Sequence, residues 1–312
     1  MEVARLLEAV GVPGRPVAER SLSGDSGTRV RVVEIDGEGL VVVKTIPEAC
    51  AETRHCRSAK GGSTRIHEEA AGLALIAATG TVSVPRVLGC GMHLGTGILV
   101  LEHLEVTTRR SGDDAAWVDF GRDLADLHLA TPPDCGDRFG LDHDNHLGST
   151  LQDNRPESKW GAFLVNRRIR PMIEGLDSRR LLRPRERTGL ESLAERIGDL
   201  LPPDIRPGLV HGDLWRGNAL LTEDRGVFVI DPAVVIADPL FEIGMMRLFG
   251  GFPATCEAAL LGRLAEVGGD GTLERSEVRI ELGRLHHLLN HWLIFGRDYA
   301  PPAIRCVAEL AG

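Results

Sequence analysis

The chain has 312 residues, 43% of them hydrophobic, and a formal net charge of −9 at pH 7. That is enough apolar material for one large domain or two lobes with a real core, and the acidic balance gives no footprint for general nucleic-acid binding. No run approaches the roughly 20 apolar residues of a membrane span, the N-terminus lacks a signal-peptide core, and the six cysteines form no Cys-x-x-Cys pair, so a cytoplasmic protein with reduced thiols is expected.

Val3, Leu6, Leu7 and Val10 recur at helical spacing and Gly11 follows, which predicts a short amphipathic helix over 2–11. Pro13 and Pro16 mark a turn. Residues 21–28 then lead into an alternating strand at 30–35. Gly24, Ser26 and Gly27 there suit an ordinary hairpin turn, or a loop whose backbone amides approach phosphate oxygens. The next strand, 40–46, carries Lys44 inside an apolar run. A lysine in that setting has a carboxylate or phosphate partner, or else faces outward. A helix over 66–78 brings Glu68 and Glu69, either of which can pair with Lys44 and hold it toward nucleotide phosphates. The segment between them, with Cys50, His55 and Cys56, reads as a surface loop.

Residues 82–88 and 97–104 are predicted strands. The second ends near Glu102 and Leu104, where the backbone is placed to receive an adenine. The polar run 105–113 divides an N-terminal nucleotide-binding lobe (1–104) from a catalytic and substrate lobe (105–312). Beyond it the apolar period changes from two to helical. Trp117, Phe120, Leu124 and Leu127 line one helix face, residues 138–154 form a turn-rich loop on the substrate side, and helices follow at 158–175 and 184–200. His286, His287 and His291 sit in a tail helix with core-like spacing.

The stretch 209–232 carries the chemistry. Asp213 is followed by Asn218 and, after the apolar run Val227–Ile230, by Asp231. Two short buried strands would deliver these groups to one point. Phosphoryl transfer needs a carboxylate to orient the attacking hydroxyl and oxygen ligands to hold Mg²⁺ on the nucleotide phosphates, and this spacing supplies both. Asp238 or Glu242 can anchor the loop by accepting hydrogen bonds from its backbone.

These residues resemble the fructosamine kinase (ketosamine-3-kinase) family, in the aminoglycoside-phosphotransferase-like branch of the protein-kinase-like fold. The resemblance rests on Leu-Val-His-Gly-Asp-Leu-Trp-Arg-Gly-Asn (209–218), Ile-Asp-Pro-Ala (230–233) and Leu-Phe-Gly-Gly-Phe (248–252), with Phe139-Gly140, Asp144-Asn145, Leu147-Gly148, Gln152-x-Asn154, Leu289-Asn290-His291, Phe295-Gly296 and Tyr299. It implies an α+β fold of two lobes: a small antiparallel-sheet lobe with one main helix, and a larger, mainly helical lobe. It implies Asp213 as the catalytic base, Asn218 and Asp231 as Mg²⁺ ligands, Lys44 as the phosphate-binding lysine and Glu69 as its partner. The implied reaction is ATP-dependent phosphorylation of the third sugar hydroxyl of a ketosamine, free or on a glycated protein, which labilises the adduct and releases the amine. Trp215 could present an aromatic face to the sugar or pack into the lobe, and His211 is expected on the substrate side. An aminoglycoside phosphotransferase and a non-catalytic kinase-like binding module are the competing readings. The presence of Lys44, Asp213, Asn218 and Asp231 together argues against the second.

Overall fold

The computed structural model describes residues 2–22, 27–47, 65–107, 114–130, 136–269 and 271–312. Gly24, Ser26, Cys50, His55 and Cys56 lie outside these residues.

The N-terminal part is an antiparallel five-stranded sheet in the order β1 (Pro16–Leu22), β2 (Arg29–Ile35), β3 (Gly39–Pro47), β5 (Thr96–Glu102), β4 (Val87–His93). A helix covers each face, so the central strands are apolar on both sides. Along β5, Ile98 and Val100 pack with Val3, Leu6 and Leu7 of α1 (Glu2–Ala9). The alternate residues Leu99 and Leu101 pack with Ile66 and Leu73 of α2 (Arg65–Thr79). This strict period of two also puts Lys44 on the α2 side, between Val42 and Ile46, which pack there as well.

Two strand expectations change. Residues 16–22 form β1, an edge strand with six exposed residues, and therefore without the alternation that would announce it. Its proline sits at the first position, where an edge strand tolerates it. The strand expected over 82–88 starts only at Val87. Pro85 has no N–H to donate to a ladder, and the segment before it makes a bridge from Ser83 to Phe228 of the second lobe.

From Glu105 the chain is stitched to that lobe. Thr107 N donates to Leu221 O and Glu223 N donates to Glu105 O. The second lobe is mainly helical: α3 (Asp114–Leu129), α4 (Trp160–Phe163), α5 (Arg170–Ser178), α6 (Pro184–Leu200), α7 (Pro239–Phe249), α8 (Ala254–Gly268), α9 (Ser276–Phe295) and α10 (Ala300–Ala311). The single helix expected at 158–175 is split between α4 and α5 by a π-helical stretch at Leu164–Ile169. There Arg168 is buried, donates to Asp153 O and Asn154 Oδ1, and stacks over Phe163. The lobe's remaining strands are short antiparallel pairs: β6 (Asn145–Leu147) with β7 (Thr150–Gln152), β8 (Gly208–Val210) with β11 (Val235–Ala237), and β9 (Ala219–Leu221) with β10 (Val227–Val229). The turns around the last two pairs hold the candidate site. No helix among the described residues is long and apolar enough to cross a membrane.

Candidate active site

Lys44 reaches across from β3 to the helix and to the second lobe at once. Its Nζ lies 2.8 Å from both carboxylate oxygens of Glu69 and also donates to Asp231 Oδ1. Burial disfavours the ammonium, but the two carboxylates outweigh it and hold its pKa above the ordinary lysine range. Burial pushes the Glu69 carboxyl up to about 7, with Lys44 pulling the other way. For Asp231 burial also raises the pKa, yet Lys44 wins and the net shift is downward. The three side chains differ in access: Lys44 and Glu69 are 8% and 11% exposed, Asp231 43%. Asp231 is thus the member open to the cleft, and it is held at φ 55°, a left-handed conformation that an L residue occupies only when its surroundings impose it.

The loop carrying Asp213 is tied from below by one buried carboxylate. Glu242 on α7, 1% exposed, accepts His211 N at 2.5 Å and Gly212 N at 3.1 Å. Burial raises its pKa, but His128, His211 and the loop amides outweigh that and lower it. Gly212 has φ 82°, and a Cβ there would lie 2.0 Å from Ala233 O, so the turn needs glycine. Of the two proposed anchors, Glu242 holds the loop directly. Asp238 serves a different purpose: it accepts Leu240 N to cap α7 and takes Arg279 in a bidentate pair at 2.8 and 2.7 Å.

His211 does not fit the substrate-side role expected for it. It is fully buried. Its Nε2 donates to Ile230 O at 2.9 Å, and its Nδ1 accepts Asp213 N at 3.3 Å. Those bonds fix one neutral tautomer, and burial pulls its pKa down. The ring is a strut between the backbone at Asp213 and the residue before Asp231. Asn218 completes the frame. Its Nδ2 donates to Asp213 O at 2.9 Å, and its own carbonyl accepts Ile230 N at 3.0 Å. The side-chain amide therefore spends its nitrogen on the loop and keeps its oxygen, a hard donor, for another use. Asp213, Asn218 and Asp231 are thus brought together on one hydrogen-bonded frame.

Trp215 is 41% exposed, and its ring lies over Gly217, where a Cβ would come within 2.2 Å of the indole. On the nucleotide side, Glu102 is buried and paired with Arg86 at 2.8 Å and Arg225 at 3.2 Å. Its carboxylate is occupied in stitching β5 to the second lobe, so any nucleotide contact at 102–104 falls to the backbone. Leu104 beside it is buried. Gly27, with φ 93°, ends the loop between β1 and β2. Leu22, Val30, Lys44 and Leu99 pair in succession across the sheet, so the end of β1 and the start of β2 stand level with Lys44.

The profile of the family described as Fructosamine kinase matches residues 57–311. The chain belongs to the fructosamine kinase family. It is accordingly a kinase that acts on a hydroxyl group. Among its relatives, a probable ketoamine kinase of Synechocystis sp. is 34% identical over 236 residues, 75% of each chain. The ketosamine-3-kinase of Mus musculus is 29% identical over 281 residues, 81% of this chain and 86% of its own. Among solved structures, a Thermobifida fusca protein assigned as a fructosamine-3-kinase superposes with a TM-score of 0.80 at 28% identity, covering 99% of this chain and 97% of that one. The aminoglycoside phosphotransferase APH(4)-Ia, in complex with ADP and hygromycin B, superposes with a TM-score of 0.62 at 16% identity, over 98% and 96% of the chains. That likeness establishes the shared kinase-like fold.

One contact between the lobes has no signature in the sequence. His146 Nδ1 on β6 meets Glu68 Oε2 on α2 at 2.8 Å, which joins the lobes one residue from Glu69. A row of aromatic rings also leads away from Trp215, starting with Phe249 at 6.3 Å. Glu68 was visible as a charge on the helix. Its partner, 78 residues away, was not.

Proposed function

We propose that this protein transfers the γ-phosphoryl group of ATP to a sugar hydroxyl, the third, of a ketosamine. The observation that carries this reading is the set formed by Lys44, Glu69 and Asp231 facing the Asp213–Asn218 loop. Lys44, aligned by Glu69, would take phosphate oxygens of the nucleotide. Asp213 would orient the acceptor hydroxyl and take its proton as the new O–P bond forms and the bond to ADP breaks. Asn218 and Asp231 offer the hard oxygen donors that suit Mg²⁺, and Asp231 is the exposed carboxylate of its cluster. When bound, Mg²⁺ would supply charge neutralisation on the phosphates. Residues 1–104 act in this reading as the nucleotide lobe and 105–312 as the catalytic and substrate lobe, with phosphate contact the role assigned to Gly24, Ser26 and Gly27 and adenine contact the role of the backbone at Glu102–Leu104. The free thiols of Cys90, Cys256 and Cys306 fit work in the cytoplasm.

The test is a phosphorylation screen with ATP and Mg²⁺ against fructose-, ribulose- and erythrulose-derived amine adducts, with aminoglycosides alongside. Turnover of the adducts, with the phosphate located on O3 by NMR, is the expected result. Turnover of aminoglycosides alone would replace the acceptor assignment. Nucleotide binding with no turnover of any acceptor would favour a binding module.

A further inference from the structure

Among the described residues, the aromatic side chains left exposed are Trp215 (41%), Phe249 (48%) and Phe295 (53%). They belong to different elements, yet they stand in one row. From Trp215 the row passes to Phe249 at the end of α7, with ring centroids 6.3 Å apart, and on to His291 of α9 at 5.2 Å. His291 in turn lies 5.5 Å from Phe295 at the end of α9 and 5.1 Å from Tyr299 in the short turn before α10. The inner end of the row is two residues from Asp213. Elsewhere in the chain the large aromatics are packed inside, so this concentration on the surface is not an overflow of the core.

The nearby cations are committed elsewhere and do not cover the rings. Arg216 stacks on Trp117 at 4.5 Å and donates to Ala219 O. Arg297 pairs with Glu186 at 2.7 Å and lies 5.4 Å from the Trp292 ring centroid. The row is also longer than one sugar ring, so a sugar seated at Trp215 leaves the outer rings for what the sugar carries. In a ketosamine that is a secondary amine, protonated at neutral pH, and its substituent. An ammonium is attracted to aromatic faces, and an alkyl or aryl substituent gains from burying apolar surface against them.

We propose that Phe249, Phe295 and Tyr299, grouped around His291, form an amine-side subsite continuous with Trp215, which receives the protonated nitrogen of the acceptor and the apolar group it bears. This rests on the ketosamine reading above and adds a preference to it: adducts of amines with bulky apolar substituents are better acceptors than adducts of small ones.

The experiment compares the fructose adducts of benzylamine and methylamine as acceptors for the full-length protein. Both carry the same sugar and the same charge. The expected kcat/KM favours the benzylamine adduct by about tenfold or more, mostly through KM. Phe295→Ala and Phe249→Ala should each reduce that ratio severalfold, Phe295→Tyr should restore most of it, and Val267→Ala, an exposed position on α8, should leave it at the wild-type value. Melting temperatures close to wild type would show that the variants fold. Equal kcat/KM for the two adducts, or a ratio unmoved in both alanine variants, overturns the subsite while leaving the kinase reading intact. Turnover of neither adduct overturns the ketosamine reading and the subsite with it.

Discussion

Glu68 on α2 and His146 on β6 meet across the two lobes, with Oε2 and Nδ1 2.8 Å apart. The same helix touches the second lobe at Gly72, where an added Cβ would lie 3.0 Å from Pro232. The helix that presents Glu69 to Lys44 is therefore seated on the residues that follow Asp231, and not on its own sheet alone. Loosening that seat should be felt at the nucleotide.

His146→Ala is expected to raise the KM for ATP severalfold, with a smaller change in the KM for the acceptor, because α2 loses its tether to the second lobe while the Asp213 loop keeps its own. The loss in stability should be about 1 kcal/mol, the net worth of one such hydrogen bond. His146→Gln, which can still donate to Glu68, should recover much of the ATP effect. Steady-state kinetics with each substrate varied in turn would check this. An equal rise in both KM values would point to general damage instead.

Asp213→Asn and Asp231→Ala should separate chemistry from binding. The first removes a proton acceptor and should lower kcat by about 10²-fold or more, with Mg-ATP binding nearly intact. The second removes the cleft-facing carboxylate of the Lys44 cluster and should abolish the metal dependence of ATP binding. Isothermal titration with and without Mg²⁺, alongside turnover, reads both. Wild-type turnover in Asp213→Asn would remove Asp213 from the role of base.

Gly217→Ala tests whether Trp215 must stay where it is. A methyl group at 217 would occupy the place of the indole ring, so the ring must swing away from the loop. The acceptor KM should rise by up to about tenfold, as for a lost aromatic contact of about 0.5–1.5 kcal/mol, while the KM for ATP changes little. If acceptor kinetics are unaffected, Trp215 is a packing residue.

Much of the site could be read from the chain because its groups break a local pattern. Lys44 interrupts an apolar strand, and the Asp213, Asn218 and Asp231 groups stand between buried strands, so burial and charge conflict within a few residues. What could not be read depends on distant partners. Nothing near His146 announces Glu68. His211 stands close to Asp213 in sequence and is expected on the substrate side, but its ring turns inward to Ile230. Strand β1 escaped because an exposed edge has no apolar alternation. Phe249 and Phe295 lie in stretches that carry the family resemblance, but nothing beside them announces their exposure. They are exposed because each sits at the last position of its helix, where the chain turns away at Gly250 and Gly296.

The buried histidines of α9 make acid stability a measurable property of the fold. His286 and His287 lie against Phe241, and each has a buried Nδ1 with no hydrogen-bond partner. Burial, reinforced by the neighbouring basic groups Arg168 and His291, drives His286 well below the ordinary histidine range and His287 down to about 3, against an opposing pull from Glu242. The folded state thus keeps both rings neutral, and the unfolded chain binds their protons below about pH 6.5. The His287 contribution is present above that pH and is lost as pH falls from about 6.5 toward 3, at up to about 1.4 kcal/mol per pH unit, and that of His286 is lost in the same direction. Glu69 acts in the opposite sense. Its raised carboxyl takes up a proton in the folded state, so its contribution falls as pH rises from about 4.5 to about 7. The comparison that isolates the histidines is therefore wild type against His287→Leu, by urea unfolding at pH 7, 6, 5 and 4. The variant should lose stability less steeply below pH 6.5, by about one proton's worth of slope. Parallel curves would mean that His287 becomes charged inside the folded protein.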